Sequence, residues 1–146
     1  MLLLPQPDLL KPAHHGLGTG WHQDNAYFKL SDGKNGTAMW SAVHDATVHN
    51  GTLHVMAGMD NEVFPHVRDL TSDHHISCKA SLKEEDAVAL EVPAGGVIFF
   101  NCNVPHCTKA NVTGNPRAAV AYHFVSKMLQ PKDSSAFLRG LFILHQ

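Results

Sequence analysis

Residues 37–57 read TAMWSAVHDATVHNGTLHVMA, and this run decides the fold class. From Thr37 to Thr47 the side chains alternate, with Ala38, Trp40, Ala42 and His44 on one side and Met39, Ser41, Val43 and Asp45 on the other. A period of two is the pattern of a strand with one buried face. Asn50-Gly51 tolerates positive φ at both positions, which predicts a tight hairpin turn, and Leu53–Ala57 is expected to return as the partner strand.

The same pattern extends downstream. Ala87–Val92 reads as a short strand, Pro93-Ala94-Gly95-Gly96 as a turn, and Val97–Phe100 as a buried strand. After a turn at Asn111–Pro116, the mostly apolar Arg117–Val125 is β-rich. Upstream, residues 1–20 read as a lead-in. Pro5, Pro7 and Pro12 break helix there, and Gly16, Gly18 and Gly20 suggest loop. Strand character begins at Trp21, and Lys29–Gly36 is dense in turn residues. Gly58–Leu82 has no clean period and is expected to be a long irregular insert. The tail, 127–146, is expected to hold a short helix near Ser134–Leu141. Short strands joined by Gly, Asn and Pro turns predict an all-β sandwich or barrel, with a lead-in at 1–20, a core at 21–126 and a tail at 127–146.

Composition narrows the function. A length of 146 residues with 44% hydrophobic and 16% charged content supports one globular domain with a sizeable core. The formal net charge is -2 and the basic residues are dispersed, which argues against nucleic acid as a partner. Met1-Leu2-Leu3-Leu4 stops at Pro5, too short an apolar run for an export signal or a membrane span, so a cytoplasmic protein is expected. Cys78, Cys102 and Cys107 lack zinc-type spacing and read as reduced thiols. Histidine is the departure, with 12 residues, and it is the commonest metal ligand. His14, His15, His74 and His75 fall in polar stretches, and His44, His49, His54 and His123 are read as bystanders.

The exception is Trp21–Phe28, WHQDNAYF. On an extended strand, His22 and Asp24 project from one face about 7 Å apart, close enough to share a metal ion. Two histidines, one carboxylate and open positions are the signature of non-haem Fe(II) oxygenases. Val104-Pro105-His106, directly after a buried strand, places His106 as a natural third ligand. Arg117 enters an apolar β-segment and must find an anion there, for which its planar fork suits a carboxylate. Thr108, two residues after His106, can face the same way. Trp40, Tyr27 and Phe28 read equally as pocket walls or as core.

These stretches together resemble the phytanoyl-CoA dioxygenase family of Fe(II)/2-oxoglutarate oxygenases. The resemblance is carried by WHQDNAYF, TAMWSAVHDATVHNGTLHVMAG and VPAGGVIFFNCNVPHCTKANVTGNPRAAVAYHF and covers roughly Pro12–Ser126. It implies a double-stranded β-helix (jelly-roll, cupin-like) core, with Fe(II) held by His22, Asp24 and His106. By the same similarity, Arg117 would pair with the distal carboxylate of 2-oxoglutarate, with Thr108 and Trp40 as further contacts and Tyr27 and Phe28 as candidate substrate-pocket residues. The implied reaction uses O2 and 2-oxoglutarate to hydroxylate a small organic substrate and releases succinate. Asp24 stands where a halogenating relative needs a vacancy, which favours hydroxylation or desaturation over halogenation. The sequence departs from the family pattern at Gly58-Met59-Asp60, where Gly-Ser-His is usual. Family members also carry a longer N-terminal region, so either this is a fragment, or an oligomer or partner covers the exposed sheet, or the chain binds metal without turnover. The alternatives are a truncated, metal-binding but inactive module, and a zinc hydrolase using the same three ligands.

Overall fold

The computed structural model describes residues 2–5, 9–72, 76–125 and 142–143. Its elements are β1 (Leu2–Pro5), β2 (Thr19–His22), the single turn α1 (Asn25–Phe28), β3 (Gly36–Ala42), β4 (Leu53–Val55), β5 (His66–Arg68), β6 (Ile76–Cys78), β7 (Val88–Leu90), β8 (Val97–Asn101), β9 (His106–Thr108), β10 (Ala119–Val125) and β11 (Phe142–Ile143). One sheet has the order β11-β1-β10-β3-β8, a second the order β2-β9-β4-β7, and β5 pairs with β6 alone. Every pairing is antiparallel. The two larger sheets face each other as a jelly roll, the all-β fold expected.

The alternation read along residues 37–42 holds. β3 buries Gly36, Ala38, Trp40 and Ala42, and β10 buries Ala119, Ala121, His123 and Val125 with the same period. These faces meet Leu53 and Ala46, and Leu90, Val92, Ile98 and Phe100 pack around them to form the core between the sheets. On the outer face of β8, an edge strand, Val97 and Phe99 are exposed.

The Asn50-Gly51 hairpin is corrected. β3 ends at Ala42, and β3 and β4 lie in different sheets, so the connection is a crossover. Val48–Asn50 forms a 3-10 turn, with the Thr47 and Asn50 side chains capping each other's backbone. Gly51 does take the positive φ that its identity allows, 84°, but ends that turn instead of closing a ladder. Local turn chemistry fixed the backbone angles, whereas the partner strand was decided by which sheet could bury each apolar face.

The lead-in is corrected as well. Leu2–Pro5 pairs with β10, and Leu9 and Lys11 continue along the same strand through backbone hydrogen bonds with Ala119 and Arg117 at 2.8–3.3 Å. Proline excludes helix, yet its φ fits an extended chain. Strand β2 begins at Thr19, before Trp21. Among its described residues, the Gly58–Leu82 insert is irregular apart from the β5–β6 pair, and it docks on β2, where Gly20 N–H donates to Ser72 Oγ at 2.7 Å. A Cβ at position 20 would clash with Ser77 Oγ, so glycine permits this contact. The helix expected at 134–141 lies outside the described residues. No helix among the described residues is long and apolar enough to cross a membrane.

Candidate metal centre

His22 closes β2 and lies directly across from His106, the first residue of β9. Their rings stand 4.3 Å apart between centroids. Asp24 joins them by a different route from the strand alternation expected. It occupies the right-handed helical region (φ -59°, ψ -32°) and opens α1, its carbonyl accepting from Tyr27 N–H at 2.9 Å and Phe28 N–H at 3.1 Å. A turn, not a pleat, brings the carboxylate back over the histidines. The candidate ligand atoms of His22, Asp24 and His106 lie within 4.8 Å of one another, and all three residues are buried. Asp24 Oδ1 is 3.6 Å from His106 Nε2.

Both histidines are oriented in the same way. The Nδ1 of His22 is 2.8 Å from Gly20 O, and that of His106 is 3.0 Å from Val104 O. A carbonyl can only accept, so Nδ1 carries the proton and Nε2 is the nitrogen with a lone pair to give. For Asp24, burial pushes the carboxyl up. The facing His106 and His123, with the His123 hydrogen bond and His22, more than reverse that and hold it well below the ordinary carboxylate range. It therefore stays ionised at neutral pH, as a metal ligand must.

Arg117 lines the same cavity as this cluster and is fully buried. Its guanidinium donates to Leu9 O at 3.1 Å and Gly51 O at 2.6 Å, and its carbon sits 5.5 Å from the Trp40 ring centroid. Neither bond brings a negative charge, and Arg117 Nε and Trp40 Nε1 have no hydrogen-bond partner among the described residues. Burial alone pulls the guanidinium down to about 10, so it remains a cation. Buried donors are rarely orphaned, and two in residues lining one cavity fit an absent acidic ligand. Thr108 is positioned from β9, with Thr19 Oγ1 3.0 Å from Thr108 Oγ1.

Six of the residues singled out in the sequence, His22, Asp24, Trp40, His106, Thr108 and Arg117, line a single cavity. Tyr27 and Phe28, expected as pocket walls, do not line it. Phe28 packs with Leu30, Cys102 and Val125 and meets the His123 ring edge-to-face, with 4.8 Å between centroids. Tyr27 meets the His22 ring edge-on at 6.1 Å, and burial with the Asp24 charge pushes its phenol up to about 12. Burial likewise pushes up the thiols of Cys102 and Cys107, the latter to about 12, and neither belongs to the candidate ligand cluster found among the described residues.

Sequence reasoning missed two contributors. His123, read as a bystander, is buried and bonded to Asp24 Oδ2 at 2.9 Å. Counting by twos from Ala119 along β10 would have turned it inward. Gln23, between the two candidate ligands, is fully buried. Its Nε2 donates to Glu62 O at 2.7 Å and Asn103 O at 2.5 Å, and its Oε1 accepts from Phe64 N–H at 2.8 Å. No local pattern marks such a residue.

A sequence profile of the family described as phytanoyl-CoA dioxygenase (PhyH) matches residues 4–119. The chain belongs to the PhyH family. Among relatives, it is 29% identical over 125 residues to the ectoine dioxygenase of Halomonas elongata, a match covering 74% of this chain and 38% of that protein. Among solved structures, EvdO2 from Micromonospora carbonacea, complexed with 2-oxoglutarate, superposes with a TM-score of 0.68 at 27% identity, over 85% of this chain and 54% of that one. The non-heme monooxygenase ThoJ shares the fold with a TM-score of 0.77 at 24% identity, over 90% of this chain and 50% of that one. This PhyH chain thus spans about two-fifths to one-half of these proteins.

Proposed function

We propose that this protein is a non-haem Fe(II)/2-oxoglutarate-dependent oxygenase that hydroxylates a small organic substrate while 2-oxoglutarate is decarboxylated to succinate. The observation that carries the reading is the pairing, in one cavity, of a buried His22–Asp24–His106 cluster with a buried arginine that has no carboxylate beside it. Bound iron would supply the oxidative chemistry. His22, Asp24 and His106 hold it through two neutral imidazoles and one carboxylate, donors suited to Fe(II). Arg117 receives the distal carboxylate of 2-oxoglutarate, with Thr108 offering a hydroxyl and Trp40 an indole N–H. Leu53 and Phe100 exclude water from the same cavity. The 2-oxoglutarate in EvdO2 supports this assignment of the co-substrate. The three free cysteines agree with a cytoplasmic setting. A zinc hydrolase using the same three ligands has no evident need for Arg117, which favours the oxygenase reading.

Anaerobic titration with Fe(II) and 2-oxoglutarate tests the proposal. A weak visible charge-transfer band is expected only when both are present, and admitting O2 should release succinate. A band with no succinate would leave a metal-binding module without turnover. No band at all would refute the shared site.

A further inference from the structure

β10 carries an inward-facing imidazole, His123, six residues beyond Arg117. His123 is 1% exposed, and its Nε2–H donates to Asp24 Oδ2 at 2.9 Å. The Phe28 ring backs the imidazole with its centroid 4.8 Å away, and the His123 Nδ1 has no hydrogen-bond partner among the described residues. The contact to Asp24 is therefore the polar interaction that holds this ring. It engages one carboxylate oxygen, while the other, Oδ1, faces His106 Nε2 at 3.6 Å. The two oxygens of Asp24 thus have different neighbours, Oδ2 the His123 ring and Oδ1 the candidate ligand His106.

We infer that His123 is a positioning residue that restricts Asp24 to a single metal-facing oxygen. A free carboxylate readily chelates a cation through both oxygens. With Oδ2 bonded to His123, chelation would require breaking a charge-assisted hydrogen bond inside the protein, where water offers no replacement. The consequence is control of coordination number: an octahedral ion keeps one more open position than it would with a chelating Asp24, and the keto acid and O2 need those positions. His123 is not part of the candidate ligand set, whose atoms converge among His22, Asp24 and His106. The inference rests on reading those three as metal ligands.

The test uses Mn(II) in place of iron in the full chain and two variants, His123→Leu, which removes the donor, and His123→Gln, which can return an N–H near the position of Nε2. Affinity and the number of inner-sphere waters are read from electron paramagnetic resonance in 17O-enriched water. His123→Leu should bind Mn(II) about 10- to 100-fold more weakly and with one water fewer, and His123→Gln should restore both. A His123→Leu variant with the wild-type water count and an affinity within about twofold, or a glutamine variant that behaves like leucine, overturns the inference. Should the leucine variant not fold, 15N NMR of the wild type decides: the Nε2-bound proton of His123 must persist on Zn(II) loading, and its loss overturns the assignment. Failure of the wild type to bind Mn(II), or binding that survives Asp24→Ala, removes the metal reading and this inference with it. Intact binding with an unchanged leucine variant removes the inference alone.

Discussion

Replacing Arg117 by methionine separates its two jobs. Methionine keeps most of the buried volume, so little cavity forms. In the free protein, Leu9 O retains the Ala119 N–H, whereas Gly51 O loses the donor at 2.6 Å. An unsatisfied buried carbonyl costs about 1–3 kcal/mol. Against that, the change removes a buried cation with no carboxylate beside it and an orphaned Nε, and such removals are often neutral or stabilising. The two effects oppose each other, and the stability of the free protein should move by no more than about 2 kcal/mol. Co-substrate binding has no such compensation. The distal carboxylate would lose its charged partner in a water-poor cavity, at a cost of about 2–4 kcal/mol, or roughly 30- to 1000-fold in Kd. Anaerobic titration of the Fe(II) protein, following the visible band, measures that Kd, and Fe(II) affinity measured alone should change little. An Arg117→Met variant that binds 2-oxoglutarate within about threefold of the wild type refutes the clamp.

Gln23→Ala leaves Glu62 O and Asn103 O without that donor and Phe64 N–H without that acceptor, which predicts about 2–4 kcal/mol of destabilisation. Hydrogen exchange should localise the loosening to 62–68, and protection there equal to the wild type would contradict the anchor. In the insert, hydrogen bonds from Ser77 and Thr71 lower the Asp69 carboxyl from its ordinary value of 3.8 to about 2. Because the folded-state value is depressed, its stabilisation is present above pH 3.8 and is lost as the pH falls toward 2. Exchange across β5 and β6 should therefore accelerate over that window, and Asp69→Asn should abolish the acid step. A variant that retains the step would assign it to another group.

The sequence and the structure diverge in an instructive order. Period-two alternation was enough to orient Trp40, Ala42, Ala119 and Ala121, because a strand's inward residues follow from counting. The same counting, applied to Asp24, reached the right neighbourhood by the wrong geometry, since the helical turn after His22 is a local conformation that hydrophobic patterning does not encode. Asn50-Gly51 shows the limit most plainly. The dipeptide specified a positive φ at Gly51 but said nothing of which strands would pair, and that same residue's carbonyl ended up on Arg117.

By itself, the amino-acid sequence determined the all-β class, the inward faces of the long strands and the chemical inventory of the site: two imidazoles, a carboxylate and a guanidinium. Those follow from side-chain identity and from a two-residue repeat, both local properties. The tertiary structure alone decided that His22 lies opposite His106, that His123 takes Asp24 Oδ2, and that Gln23 fastens the insert to the centre. These contacts join residues 39 to 99 positions apart. Such pairs are selected by the joint burial of two sheets and the need to satisfy every enclosed polar group, conditions that no short window of sequence contains.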